Sequence, residues 1–177
     1  MRIISGTHKG KRLQAPKSLP VRPTTDFAKE ALFNILNHKI DFSEVSMLDL
    51  FSGTGNIAYE FASRGCQNIT AVDAHYGCVK FISQTAETLD FPIQTIKADV
   101  SKYVCMSHSK FDVIFADPPY IFDAEEIEKI VMQIFENSLL SEDGFLIIEH
   151  SKHTDLAKVP HFERSRKYGG SVFSFFT

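Results

Sequence analysis

The chain has 177 residues, 44 % of them apolar, enough for one domain with a sizeable core but with no apolar run long enough to span a bilayer. Cys66, Cys78 and Cys105 are odd in number, scattered and without metal-ligand spacing, which argues against a disulfide framework or a metal site and for a reducing cytoplasm. The net charge of −3 hides a division: residues 1–25 carry six Lys/Arg and no acid, residues 26–150 carry eight basic and twenty acidic residues, and residues 151–177 carry five and two. A basic arm on an acidic body points to an anionic partner met by the two ends of the chain, a solvated surface hairpin being the plainer alternative.

The N-terminus, "MRIISGTHKGKRL", is basic but lacks the continuous apolar stretch of a signal peptide. "RIISG" and "GKRL" flank a polar segment containing Gly6 and Gly10, a small hairpin by its turn chemistry. "APKSLPVRPTT" holds three prolines and is expected to run extended. These two pieces, residues 1–24, form an extension ahead of a main domain over 25–177. A helix opens that domain: Thr25 can cap it, Asp26 suits the positive end of its dipole, and Ala28, Leu32, Ile35 and Leu36 make one apolar face.

From residue 45 the texture changes. "VSMLDLF", "NITAVD", "PIQTIKAD", "FDVIFAD" and "GFLIIEH" are short apolar runs, each ending in or near an acid. Helical patterns fill most gaps: Ile57, Ala58, Phe61 and Ala62 after "SGTG", and Ile127, Ile130, Val131 and Ile134 after "PPY". Such alternation predicts an α/β fold with a parallel sheet covered on both faces. The tail, "HFERSRKYGGSVFSFF", reads as two strands turning through Gly169 and Gly170, an antiparallel hairpin at the sheet edge. Asp49, Asp73, Asp99, Asp117 and Glu149 all fall near the carboxyl ends of strands, where open sheets place their ligand crevice.

"LDLFSGTGN" links the first core strand to its helix. Gly53 and Gly55 permit a sharp turn and a close ligand approach. A dinucleotide fingerprint would want a third glycine where Ala58 stands, so the loop alone is weak. Asp73, ending the next strand, can accept bonds from both hydroxyls of a ribose, and Asp99, ending the third, is placed to read an adenine amino group. A glycine turn and two acids in register point to a nucleoside pocket; taken singly, each reads as a chain turn or a solvated strand end.

"FDVIFADPPY" supplies the chemistry. Two prolines end the strand, since neither donates a ladder bond. The Asp117 carboxylate and the Pro118 carbonyl are acceptors that can converge on one planar amine, and those bonds strengthen as charge develops on nitrogen. Tyr120 offers a face for a nucleobase. The turn suits an exocyclic amine being alkylated, although "DPPY" is short and can also be a plain strand terminator.

In their order, "RIISGTHKGKRL", "RPTTDFAKEALFNIL", "LDLFSGTGNIAYEFASRG", "FDVIFADPPY", "IIEH" and "YGG" resemble the bacterial 16S ribosomal RNA guanine-N2 methyltransferases of the RsmD type over nearly the whole chain. The resemblance implies a Rossmann-like class I methyltransferase fold: a mostly parallel seven-stranded sheet with an antiparallel C-terminal hairpin, plus a small N-terminal extension that helps hold RNA. It implies S-adenosylmethionine as donor, with Gly53 and Gly55 flanking its methionine part, Asp49 beneath, Phe51 beside it, Asp73 on the ribose and Asp99 on the adenine. Asp117, Pro118 and Tyr120 would hold the target guanine. Arg22 and Thr24 would sit near the active-site mouth, and Arg2, Lys9, Lys11 and Arg12 would join them in contacting RNA. The implied partner is 16S rRNA, free or in an assembling 30S particle; the chain's size fits a monomer, and its cysteines fit a cytoplasmic protein with no metal. "HYGCVK" after Asp73 departs from the polar helix start of relatives, and "VCMSHSK" matches no recognised pattern.

Two other functions use the same features. A DNA adenine-N6 methyltransferase shares the "DPPY" turn but generally needs a target-recognition region for which this chain has no spare length. An inactive RNA-binding module would keep the fold and lose the need for Asp117 with Tyr120. A nicotinamide dehydrogenase would need a substrate domain and a hydride-transfer acid, and neither is evident; His75, His108, His150 and His153 are isolated in sequence.

Overall fold

The computed structural model describes residues 1–19 and 24–177. Arg22, expected at the mouth of the site, lies outside the described residues. The Thr25 hydroxyl accepts from the Ala28 amide at 3.2 Å and caps α1 (Asp26–Leu36). Strands and helices then alternate: β1 (Ser46–Leu50), α2 (Asn56–Ser63), β2 (Asn68–Asp73), α3 (Tyr76–Leu89), β3 (Ile93–Lys97), α4 (Val100–Met106), β4 (Phe111–Ala116), α5 (Ala124–Glu136) and β5 (Leu140–Ser151). The hairpin β6 (Phe162–Tyr168) and β7 (Ser171–Phe176) closes the chain. The unplaced "VCMSHSK" is the end of α4 and the loop leaving it.

These strands form one seven-stranded sheet in the order β3-β2-β1-β4-β5-β7-β6. The first five are parallel, and β7 runs antiparallel to both its neighbours, β5 and β6. Order reverses between β1 and β4, which opens a crevice at their carboxyl ends. Both faces are covered. Met47, Ala71, Phe115, Ile147 and Phe175 pack with residues of α1, α2 and α3; Leu48, Leu50, Val72, Ile114 and Ile148 pack with residues of α4 and α5. That double burial is why the strands read as continuous apolar runs. Phe33, Phe42 and Phe61 brace the first face, with ring centroids 5.1–5.9 Å apart.

The N-terminal hairpin pairs through Ile3 and Lys11, Gly10 and Ile3, and Leu13 and Met1, at 2.9–3.0 Å. The proline-rich stretch is less extended than the sequence suggests: the Leu19 amide donates to the Pro16 carbonyl at 3.2 Å, closing a turn. Proline has no N–H but keeps its carbonyl, so it can open a turn as an acceptor.

The hairpin is held to α2 by a buried carboxylate. Glu60, fully buried, accepts the Ile4 and Ser5 amides at 2.8 and 3.0 Å and pairs with Arg64 at 2.8 Å. Gly6 meets the same helix so closely that a Cβ there would lie 1.7 Å from the Ser63 carbonyl oxygen, and its φ of +83° favours glycine as well. From α1, the Lys29 ammonium reaches inward to the Arg2 carbonyl at 2.6 Å, the Asn56 amide oxygen at 2.8 Å and Glu60 at 3.4 Å. Burial pulls this lysine below its usual pKa, while Glu60 and Asp26 pull it back up. Removing one partner of such a pair leaves the other charged and dry. Lys29→Met is therefore expected to lower unfolding free energy by about 3 kcal/mol in urea titration, and to open the N-terminal segment to proteolysis.

Candidate active site

β1 ends by delivering an acid into the interior. Asp49 lies between Ala71 of β2 and Phe115 of β4, 2 % exposed, and accepts the Ala58 amide in the first turn of α2 at 3.2 Å. Burial pushes its carboxyl up to about 8; the Ala58 N–H works against this and the charge of Asp73 adds to it.

The loop after β1 is left-handed at three of five residues: Phe51 at φ 56°, Gly53 at 52° and Gly55 at 79°. For Phe51 that conformation is a strain of order 1–3 kcal/mol. Its ring meets the edge of Phe122, centroids 5.7 Å apart, beyond the β4 turn. Ser52 donates its amide and hydroxyl to the Val72 carbonyl, at 3.1 and 3.2 Å. Gly55 is glycine for a second reason besides its φ. A Cβ there would come within 2.9 Å of both Ile82 and Tyr59, so part of the space expected for a ligand is taken by the chain's own side chains.

Asp73 anchors this loop. One carboxylate oxygen accepts the Gly53 amide and the other the His75 amide, both at 2.8 Å. Each oxygen keeps a second lone pair for a hydroxyl. Asp99 caps α4, accepting the Lys102 amide at 3.0 Å through one oxygen. It is exposed, and the other oxygen serves no cap.

The acidic turn stands beside the glycine loop. Leu50 pairs with Ala116, and the Asp117 amide donates to the Leu50 carbonyl at 3.3 Å, so Asp117 follows β4 just as Phe51 follows β1. Pro118 is buried and Tyr120 is 52 % exposed. The Phe122 amide closes the turn on the Pro119 carbonyl at 2.9 Å. On the next strand, Ala116 pairs with Ile148, which sets Glu149 beside Asp117 in register.

Thr24 ties the end of the linker to Glu149 at the tip of β5, a contact that nothing in the sequence marks. The Thr24 hydroxyl donates to Glu149 at 2.7 Å, with both residues buried, and the Thr24 carbonyl accepts from Asn56 at 3.0 Å. Asn56 also accepts from Lys29, so the hairpin, α1, α2 and the β5 tip share one buried polar chain. A lysine on the apolar side of α1, four residues before Phe33, and a glutamate inside the apolar run of α2 were its sequence signals. Lys9, Lys11 and Arg12 are exposed on the hairpin, and Arg2 forms an exposed pair with Asp26 at 3.5 Å. A groove lined by Arg2, Lys9, Glu30, Asn34 and Arg64 separates the hairpin from α1.

Asp49 makes a pH prediction. Its folded pKa lies above the unfolded value of about 4, so its contribution to stability is full below that pH and is lost as pH rises toward about 8. Asp49→Asn removes the loss. In urea unfolding at about pH 5 and about pH 9, the variant should gain on the parent chain at the higher pH.

The family model described as Conserved hypothetical protein 95 matches residues 1–177. Ribosomal RNA small subunit methyltransferase D of Haemophilus influenzae is 30 % identical over 88 % of this chain and 81 % of its own length. A structure titled as a hypothetical protein of Thermus thermophilus superposes with a TM-score of 0.85 at 23 % identity, over 99 % of this chain and 98 % of that one. The T. thermophilus 16S rRNA N2 G1207 methyltransferase RsmC, solved with AdoMet and guanosine, superposes at 0.71 and 18 % identity, over 89 % of this chain and 44 % of that one. The fold is that of the Rossmann-like methyltransferases, and with a family model matching it from end to end the chain belongs to that family, the RsmD-type methyltransferases.

Proposed function

We propose that the protein transfers a methyl group from S-adenosylmethionine to the exocyclic N2 of a guanine in small-subunit ribosomal RNA. The observation that carries this reading is the pairing of Leu50 with Ala116, which sets the Asp117 corner against the strained glycine loop at the sheet's switch point. The relative from H. influenzae is named for the rRNA small subunit, and RsmC for guanine N2.

The residues fit the donor. Asp73 has lone pairs left for ribose hydroxyls, and Asp99 an oxygen left for an adenine amino group. Gly53 and Gly55 shape the turn beside the methionine part, with Phe51 at its entrance. Asp49 beneath the loop would be drawn toward its charged form by a neighbouring cation. The donor supplies an activated methyl on a sulfonium.

The rest is alignment by the chain. Tyr120 stacks on a guanine flipped out of its helix. The carboxylate of Asp117 and the carbonyl of Pro118 accept from its N2 amine and hold the nitrogen lone pair toward the methyl. Transfer would form a carbon–nitrogen bond and break the methyl carbon's bond to sulfur, leaving a neutral thioether; Asp117 stabilises the positive charge that appears on N2 and takes the proton. Lys9, Lys11 and Arg12, with Arg2 on the same hairpin, engage the RNA of a free transcript or an assembling 30S particle; Thr24, expected among them, is buried with its hydroxyl on Glu149, so its role is to support the cleft and not to touch RNA. The protein works as a cytoplasmic monomer, without a metal.

Asp117→Ala should lower the methyl-transfer rate by at least about 10²-fold while donor affinity stays near its original value. Digestion of the methylated rRNA to nucleosides and chromatography against N2-methylguanosine and N6-methyladenosine standards identifies the atom, and methyl on adenine N6 would displace the guanine reading. Replacing Lys9, Lys11 and Arg12 together by alanine should weaken RNA binding and reduce the slope of log affinity against log salt by about 2. An unchanged slope would remove the hairpin from the RNA interface.

A further inference from the structure

The sheet register carries the site's acidic row on to an aromatic and cationic patch that the proposed reaction does not use. Glu149 of β5 pairs with Phe173 of β7, and Phe173 pairs with Arg166 of β6. Directly opposed residues of antiparallel strands share a face. Arg166 thus stands on the face that carries Glu149, two strands away, at about 5 Å per strand. One step further along, Ser151, Ser171 and Tyr168 form the next row on that face. α1 packs against β6 here, and Phe27 at its start is 66 % exposed, its ring centroid 6.4 Å from that of Tyr168 at 74°.

The patch is built to stay in place. Tyr168 is half-buried and rests on Phe173 at 6.1 Å, in the core. Phe27 rides on the helix that Lys29 anchors. Arg166 is exposed, and among the described residues it pairs with no carboxylate. Arg164, on the same face, lies over Phe175 at 5.2 Å and pairs with Glu163 at 3.5 Å. The nearest acid at the start of α1, Asp26, is offset by Arg2 at 3.5 Å. An exposed aromatic ring held on a rigid ledge, with guanidinium groups beside it and a catalytic crevice on the same face, matches the way single-stranded nucleic acid is held: bases on rings, phosphates on cations.

We propose that Phe27 and Tyr168 form a stacking ledge for an unpaired nucleobase flanking the target nucleotide, with Arg166 holding its phosphate. The ledge rests on the rRNA reading and deepens it: the RNA crosses the sheet edge from the β4 tip toward β6 and is read as single strand on both sides of the flipped base. This surface adjoins the hairpin through the pair of Arg2 with Asp26 but is formed by α1 and β6.

The chain has no tryptophan, so Phe27→Trp places a single indole reporter on the ledge. Titration with a short single-stranded oligoadenylate should quench its emission, because stacking tolerates any base. In methyl transfer to small-subunit rRNA, Phe27→Ala should raise KM by about fivefold or more with kcat retained, and Phe27→Trp should restore KM. Arg166→Gln should lower the salt slope of oligoadenylate binding by about 1. Thermal midpoints of the variants serve as the folding control. Emission unmoved by saturating oligoadenylate, or a KM unmoved in Phe27→Ala, would overturn the ledge. A parent chain that methylates no rRNA would instead overturn the reading beneath it, while quenching would still report a base on the ledge.

Discussion

A lysine and a glutamate with almost no contact with water tie the N-terminal hairpin, α1 and α2 into one frame. Glu60 gathers two backbone amides of the hairpin, Arg64 of its own helix and Lys29 of α1; Lys29 adds the Arg2 carbonyl and the side chain of Asn56. Desolvating two charges is costly, and their attraction alone seldom makes a buried pair stabilising against an apolar substitute. What such a pair does give is a definite geometry, because each misplacement strands a charge. Here the geometry extends through Asn56 and Thr24 to Glu149, at the tip of the strand beside Asp117.

That frame explains how a chain of this size positions a site with contributions from so many elements. The sheet provides the spacing: β1, β2, β3 and β4 bring a strained turn, two acids with unspent acceptor capacity and the acidic corner to one edge. Helix α2 adds the amide that Asp49 needs in order to lie buried. The N-terminal hairpin is therefore tied to the helix that begins at the glycine loop.

Much of this was legible in the residues. Continuous apolar runs ending in acids foretold a parallel sheet with a carboxyl-end crevice, and the glycines at 169 and 170 foretold the closing hairpin, because both patterns follow directly from local backbone chemistry. Strand order and register are long-range properties, and the seven-stranded arrangement came from the family resemblance. The joining of Thr24 to Glu149 spans 125 positions and leaves no periodic trace. Phe51 in a left-handed conformation could not be foreseen, since its residue type argues against it. Proline's fixed φ is shared by extended and turn conformations, so the residues around Pro16 do not by themselves distinguish the turn that the Leu19 amide closes.

The close seating of Gly6 on Ser63 has a consequence for how any large polyanion would be met. A basic arm on a loose tether captures its target from a distance and then loses freedom as it settles. This one is already settled, its backbone welded to a helix. For a polyanion that met it, docking would forfeit little motion on the protein's side, and the adjustment of shape would fall on the incoming molecule.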